Sequence, residues 1–174
     1  MKKKSIIAVL GHHNSGKTTL IENLITKLRD EGYRVASAKH VFIEGFSIDR
    51  ENTDTYRHSR AGANPVIGVS DVESFIIFKN GVSDFSTDKL ELWTSEADVL
   101  ILEGFSKLIS ESIEAGKIVC IKSREEIAEF RRELKGRVLA FCSLKKIHKN
   151  VLRIKDDSFL ITERVLTFIK ESSH

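Results

Sequence analysis

The chain has 174 residues, with 28 Lys and Arg against 25 Asp and Glu, a net charge of +3, and two cysteines. That length suits one well-cored α/β domain spanning 1–174, since no Pro- or Ser-rich linker divides it. Charges of both signs are spread throughout, which excludes the basic stripe of a nucleic-acid binder, and no segment approaches the ~18 continuous apolar residues of a membrane span.

Met1-Lys2-Lys3-Lys4 precedes an apolar run of about six residues, too short for an export signal, so a cytoplasmic protein is expected. The run itself, Ser5 to Leu10, is β-branched and apolar like a strand buried on both faces. Gly11-His12-His13-Asn14-Ser15-Gly16-Lys17-Thr18 then spells G-x-x-x-x-G-K-[ST]. In such a loop the glycines let the backbone curl so that N–H groups surround phosphate oxygens. Lys17 adds a mobile positive charge. Thr18, followed by Thr19, opens a helix whose unpaired N–H groups favour an anion, and its hydroxyl suits a magnesium ion bridging two phosphates. Ile21, Leu24, Ile25 and Leu28 recur at helical spacing, and Gly32 marks the stop. Strand, loop and helix together predict a nucleoside-triphosphate binder.

Tyr33 to His40 reads as a second strand. Val41 to Asn52 lacks periodicity but carries Glu44, Asp49, Arg50 and Glu51, as in a loop at the carboxyl edge of a parallel sheet, where ligands bind. Asp54 to Ala61 suits a short helix ending at Gly62, and Asn64 to Val69 a strand with Pro65 at its start. Val72 to Phe78 and Val82 to Phe85 flank Asn80-Gly81, a tight-turn signal that predicts an appended β-hairpin. Ser86 or Thr87 can cap a helix through Trp93.

Asp98 to Gly104 is an apolar strand closing on an acid and a glycine. In phosphate-loop proteins the strand beside the first carries an acid at its tip that holds magnesium directly or through water, which makes Glu103 the candidate. Lys117 to Lys122 and Arg137 to Cys142 are strand-like and contain Cys120 and Cys142, expected as reduced, buried thiols. Between them Ser123-Arg124-Glu125-Glu126 is a capping box for a helix with Ile127, Phe130 and Leu134 on one face and Gly136 at its end. Val151 to Ile154 is a last strand, and Ile161, Val165, Phe168 and Ile169 stripe a C-terminal helix. The alternation predicts a three-layer α/β phosphate-loop fold with a mostly parallel sheet.

Gly11 to Thr19, Lys39-His40, Phe46-Ser47-Ile48-Asp49, Asp54-Thr55-Tyr56-Arg57, Ala61-Gly62-Ala63 and Leu102-Glu103-Gly104-Phe105-Ser106-Lys107 together resemble the molybdopterin-guanine dinucleotide biosynthesis protein B family. The resemblance covers the first two-thirds of the chain; the last third matches mainly in element order. It implies a GTP-binding adaptor of molybdenum cofactor biosynthesis, a homodimer with weak GTPase activity, acting beside the molybdenum cofactor guanylyltransferase. Carried over by motif, the Gly11 to Thr18 backbone and Lys17 hold phosphates, Thr18 holds magnesium, and Asp49 and Glu103 take metal-side or water-positioning roles. The hairpin near Asn80-Gly81 would serve dimerisation. Two departures stand out: Arg137 to Cys142 runs into Ser143-Leu144-Lys145-Lys146 without an acid, and no N-K-x-D guanine reader is present.

Other readings of the same loop are a metal-delivery GTPase, for which His12, His13 and His40 would be the ligands, and a small-molecule kinase, which would need an acceptor pocket and a lid. Arg57 and Arg60 suit salt bridges as well as transition-state charge. With no glutamine placed to orient water and no arginine finger, hydrolysis is expected to be slow, by roughly 10³ or more.

Overall fold

The computed structural model describes residues 4–79 and 86–172. In chain order the elements are β1 (Ser5–Leu10), α1 (Lys17–Asp30), β2 (Val35–Lys39), α2 (Asp54–Arg60), β3 (Val66–Val69), β4 (Ser74–Ile77), α3 (Thr87–Trp93), β5 (Val99–Glu103), α4 (Ser106–Ile109), β6 (Gly116–Cys120), α5 (Glu125–Glu133), β7 (Val138–Ser143), β8 (Leu152–Arg153) and α6 (Ser158–Ser172). The chain divides into two compact units, residues 1–40 with 91–174, and residues 41–90.

The first unit is built on a parallel sheet ordered β2-β5-β1-β6-β7-β8. Every residue of β1, β5 and β6 is buried, as strands covered on both faces require. On one face Ile7, Val9, Val99, Ile101, Ile118, Cys120 and Cys142 pack with Leu20, Leu24 and Leu28 of α1 and Ile161, Val165 and Phe168 of α6. The alternate residues Val119 and Ile121 turn to the other face and meet Phe130 of α5. Two helical layers around one sheet result, as the alternation of strands and helices predicts. Strand ends differ from the sequence reading by a residue or two, the usual scatter at fraying termini.

Two local devices close this unit. Lys117 at the start of β6 is fully buried, and its Nζ donates to the carbonyls of Ser112 and Lys135, the latter at 2.7 Å. Those carbonyls belong to the connections entering β6 and β7, so one ammonium group laces both at the amino edge of the sheet. β8 pairs only with Cys142 and Ser143, and where it leaves β7 uncovered Arg164 of α6 donates to the Leu139 carbonyl at 2.9 Å. The capping box is made differently from its sequence signature. The Glu126 carboxylate accepts from the Lys122 N–H at 3.0 Å, and α5 starts after Arg124 with no side-chain cap.

In the second unit Thr53 caps α2, its hydroxyl accepting the Tyr56 N–H at 3.2 Å. Residues 41–52 form turns without helix or strand, one of them closed by Phe46 N–H to the Ile43 carbonyl at 3.2 Å. A hairpin exists, but it pairs β3 with β4, Val66 opposite Ile77 and Val69 opposite Ser74, as a separate two-stranded sheet. Its turn is held by the Ser70 hydroxyl, which accepts N–H bonds from Val72 and Glu73 at 3.3 and 3.1 Å, and the Phe75 ring lies over Gly68, where a Cβ would stand 2.2 Å from it. Asn80-Gly81 and Val82 to Phe85 lie outside the described residues.

Candidate functional site

In a parallel α/β sheet the carboxyl ends of the strands, where neighbouring connections part, form a crevice. Here β1 lies between β5 and β6, and the loop that leaves it, Gly11 to Gly16, enters α1. Register sets Glu103 beside Val9 of β1 on one side and beside Lys39 of β2 on the other. A pocket of about 350 Å³ opens there, lined by His13, Asn14, Ser15, Gly16, Lys17, Thr18, Thr19, Lys39, Glu103 and Leu144.

The loop is built for close backbone approach. Gly11 has φ +138°, and a Cβ on it would lie 2.1 Å from the Cys120 carbonyl oxygen. Asn14 takes φ 58°, the left-handed region that asparagine tolerates better than most residues. Gly16 has φ +93°, and its Cβ would meet Ile154 at 2.7 Å and Leu144 at 2.9 Å. Gly16 also stands at the N-cap of α1, which has no side-chain cap and no acid in its first turn. The positive end of a 14-residue helix is thereby left for an external anion.

Lys17 folds back so that its Nζ donates to the His12 carbonyl at 2.8 Å. The Thr18 hydroxyl donates to Glu103 Oε1 at 3.3 Å, and Lys39 Nζ lies 3.1 Å from the same oxygen. Glu103 is buried, with 12% of its side chain exposed. The Ser15 hydroxyl is buried without a hydrogen-bond partner inside the loop, an unsatisfied polar group of the kind ligand cradles contain. Beneath the loop, burial pushes the Cys120 thiol up to about 12, against the opposing pull of Lys17.

The structure thus brings Asn14, Ser15, Gly16, Lys17, Thr18, Thr19 and Glu103 around one pocket, with Gly11 at the start of the same loop against Cys120. His13 lines it as well. The His12 ring does not: it packs on Phe130 of α5 at 5.5 Å between centroids, with Nε2 3.3 Å from Glu129. Asp49 belongs to the other unit, where Oδ1 accepts from the hydroxyls of Thr53 and Thr55 at 3.1 and 2.9 Å. Lys39 was not among the site residues read from the sequence by chemistry. A lysine ending a strand carries no signal until the β2–β5 register places it beside Glu103.

A family model described as molybdopterin guanine dinucleotide synthesis protein B matches residues 6–150. A Haemophilus influenzae molybdopterin-guanine dinucleotide biosynthesis adapter protein is 32% identical over 104 residues, 59% of this chain and 57% of the relative. A Methanocaldococcus jannaschii protein provisionally given the same description is 34% identical over 120 residues, 69% of this chain and 48% of the relative. The chain therefore spans about half the length of these relatives. A crystal structure of molybdopterin-guanine biosynthesis protein B superposes with TM-score 0.68 at 28% identity, covering 95% of this chain and 99% of that one. The crystal structure of Bacillus subtilis MobB gives TM-score 0.69 at 25% identity, covering 94% and 97%. Strand order, loop construction and these likenesses agree: the chain belongs to the molybdopterin guanine dinucleotide synthesis protein B family.

Proposed function

We propose that this protein is a GTP-binding adaptor of molybdenum cofactor biosynthesis that assists formation of molybdopterin guanine dinucleotide beside the guanylyltransferase, as a homodimer with weak GTP hydrolysis. The single observation that supports this most directly is the Gly11 to Thr19 loop, whose glycines admit no Cβ, whose Ser15 hydroxyl is unpartnered, and whose helix start lacks a cap. In that reading the loop amides and Lys17 grip the phosphates. The Thr18 hydroxyl and the Glu103 carboxylate are hard oxygen donors, a set that suits magnesium, which commonly takes one or two protein ligands and completes its shell with phosphate and water. Magnesium, when bound, neutralises phosphate charge. Asp49 accepts from Thr53 and Thr55 through Oδ1 in its own unit while its Oδ2 is buried without a hydrogen-bond partner, and the cation set proposed within the first unit is Thr18 with Glu103.

Each residue has a defined task. Lys17 exchanges the neutral His12 carbonyl for charged phosphate oxygens, adding ion pairing to a hydrogen bond already made by its ammonium group. Slow hydrolysis is part of the proposal, and among the described residues the pocket lining holds neither an arginine nor a glutamine to support the reaction. Guanine over adenine is proposed from the family alone.

Calorimetry with GTP, ATP and their diphosphates, with and without magnesium, tests the reading. GTP is expected to bind tightest and to require magnesium, and Lys17→Ala is expected to lose detectable triphosphate binding. Tight binding retained by that variant would count against the assignment.

A further inference from the structure

One of the proposed cation ligands, Glu103, is already paired with a cation of the protein's own. Glu103 Oε1 accepts from Thr18 at 3.3 Å on one side and from Lys39 Nζ at 3.1 Å on the other. Glu103 is the buried partner of this pair, while 57% of the Lys39 side chain is exposed. A buried carboxylate needs a compensating charge, and here the ammonium group supplies it. Lys39 also lines the same pocket as Lys17, from the carboxyl end of β2.

We propose that Lys39 is an internal stand-in for the divalent cation, released from Glu103 when magnesium enters and thereby freed to engage the terminal phosphate of a nucleoside triphosphate. The inference rests on the nucleotide-site reading above and deepens it: Lys39 is a positioning residue that senses the γ-phosphate. The physical logic is charge exchange. A divalent ion outcompetes a single ammonium for one carboxylate, and the displaced ammonium, on a flexible four-carbon stem, is left in the pocket that the phosphate loop lines.

Lys39→Met keeps the length and removes the charge; Lys39→Arg keeps the charge. By calorimetry on the whole chain, with GTP, GDP and a magnesium titration, the Met variant is expected to lose about tenfold or more in the ratio of GTP to GDP affinity. The magnesium concentration that half-saturates the GDP complex is expected to fall, since no ammonium competes for Glu103. The Arg variant is expected to recover most of the ratio. A merely structural lysine would move these two readouts together, weakening magnesium as well as GTP. An unchanged GTP-to-GDP ratio in Lys39→Met, or a raised magnesium requirement, overturns this inference while leaving the nucleotide site standing. Wild-type protein that binds neither nucleotide overturns both.

Discussion

Two glycines show how much a single Cβ decides. Gly11 and Gly32 both have positive φ, but a Cβ on Gly11 meets the Cys120 carbonyl at 2.1 Å, whereas at Gly32 nothing lies within 4 Å. Gly32→Ala is expected to cost about 1 kcal/mol, the price of a left-handed alanine alone. Gly11→Ala adds backbone overlap that no rotamer can relieve, and roughly 2–5 kcal/mol is expected. Urea unfolding of the two variants checks the contrast. Motif spacing locates both Gly11 and Gly16 in the sequence, because the chemistry of phosphate binding is local. What Gly11 abuts is not local: Cys120 lies more than a hundred positions away and enters through the β1–β6 pairing. The same distance hides the partnership of Lys39 with Glu103, and the turning of the His12 ring toward α5. A histidine in a phosphate loop gives no sign of which way its ring will face.

Among the elements, α2 shows a cap with two duties. The Thr53 hydroxyl accepts the Tyr56 N–H and lies 3.1 Å from Asp49 Oδ1, to which it donates. Thr53→Ala is expected to destabilise α2 by about 1 kcal/mol, read as faster hydrogen exchange at the Tyr56 amide, with the Leu24 amide of α1 unaffected. Strands β1, β5 and β6 are legible because uninterrupted apolar runs bounded by glycines or charges leave few alternatives to a doubly covered strand. The hairpin is less so. The pairing of β3 with β4 is accompanied by Phe75 covering Gly68 and by a turn held by the Ser70 hydroxyl, contacts that period-two reading does not weigh, while the Asn80-Gly81 turn lies outside the described residues. Glu126 likewise reaches the Lys122 N–H, one residue before the position its signature marks.

For the molecule as a whole, alkaline pH is the informative perturbation. Cys120 and Cys142 are register partners on β6 and β7, free and buried, and burial pushes both thiols above their ordinary 9.0, Cys120 to about 12 and Cys142 further. The unfolded chain releases those protons near 9 while the folded chain keeps them, so stability falls as pH rises past 9, by about 1.4 kcal/mol per thiol per pH unit. Burial lowers Lys117 instead, and there the unfolded chain holds the extra proton, so its contribution rises toward 10.5. Burial lowers Lys4 in the same direction, and the two thiols, which burial displaces further, set the sign of the net change. Urea unfolding at pH 8 and pH 10.5 is expected to show a net loss, reduced by about one thiol's share in Cys142→Ala. Among the described residues, no helix is long and apolar enough to cross a membrane.

The lacing by Lys117 bears on how such a sheet can respond to a ligand at all. One rim is sewn shut by a single sequestered amine, and the other ends in a crevice whose contacts, Lys17 to a carbonyl and Lys39 to a carboxylate, can each be traded for a better one. Any rearrangement on occupancy is thereby channelled to the open rim, like a book bound along its spine.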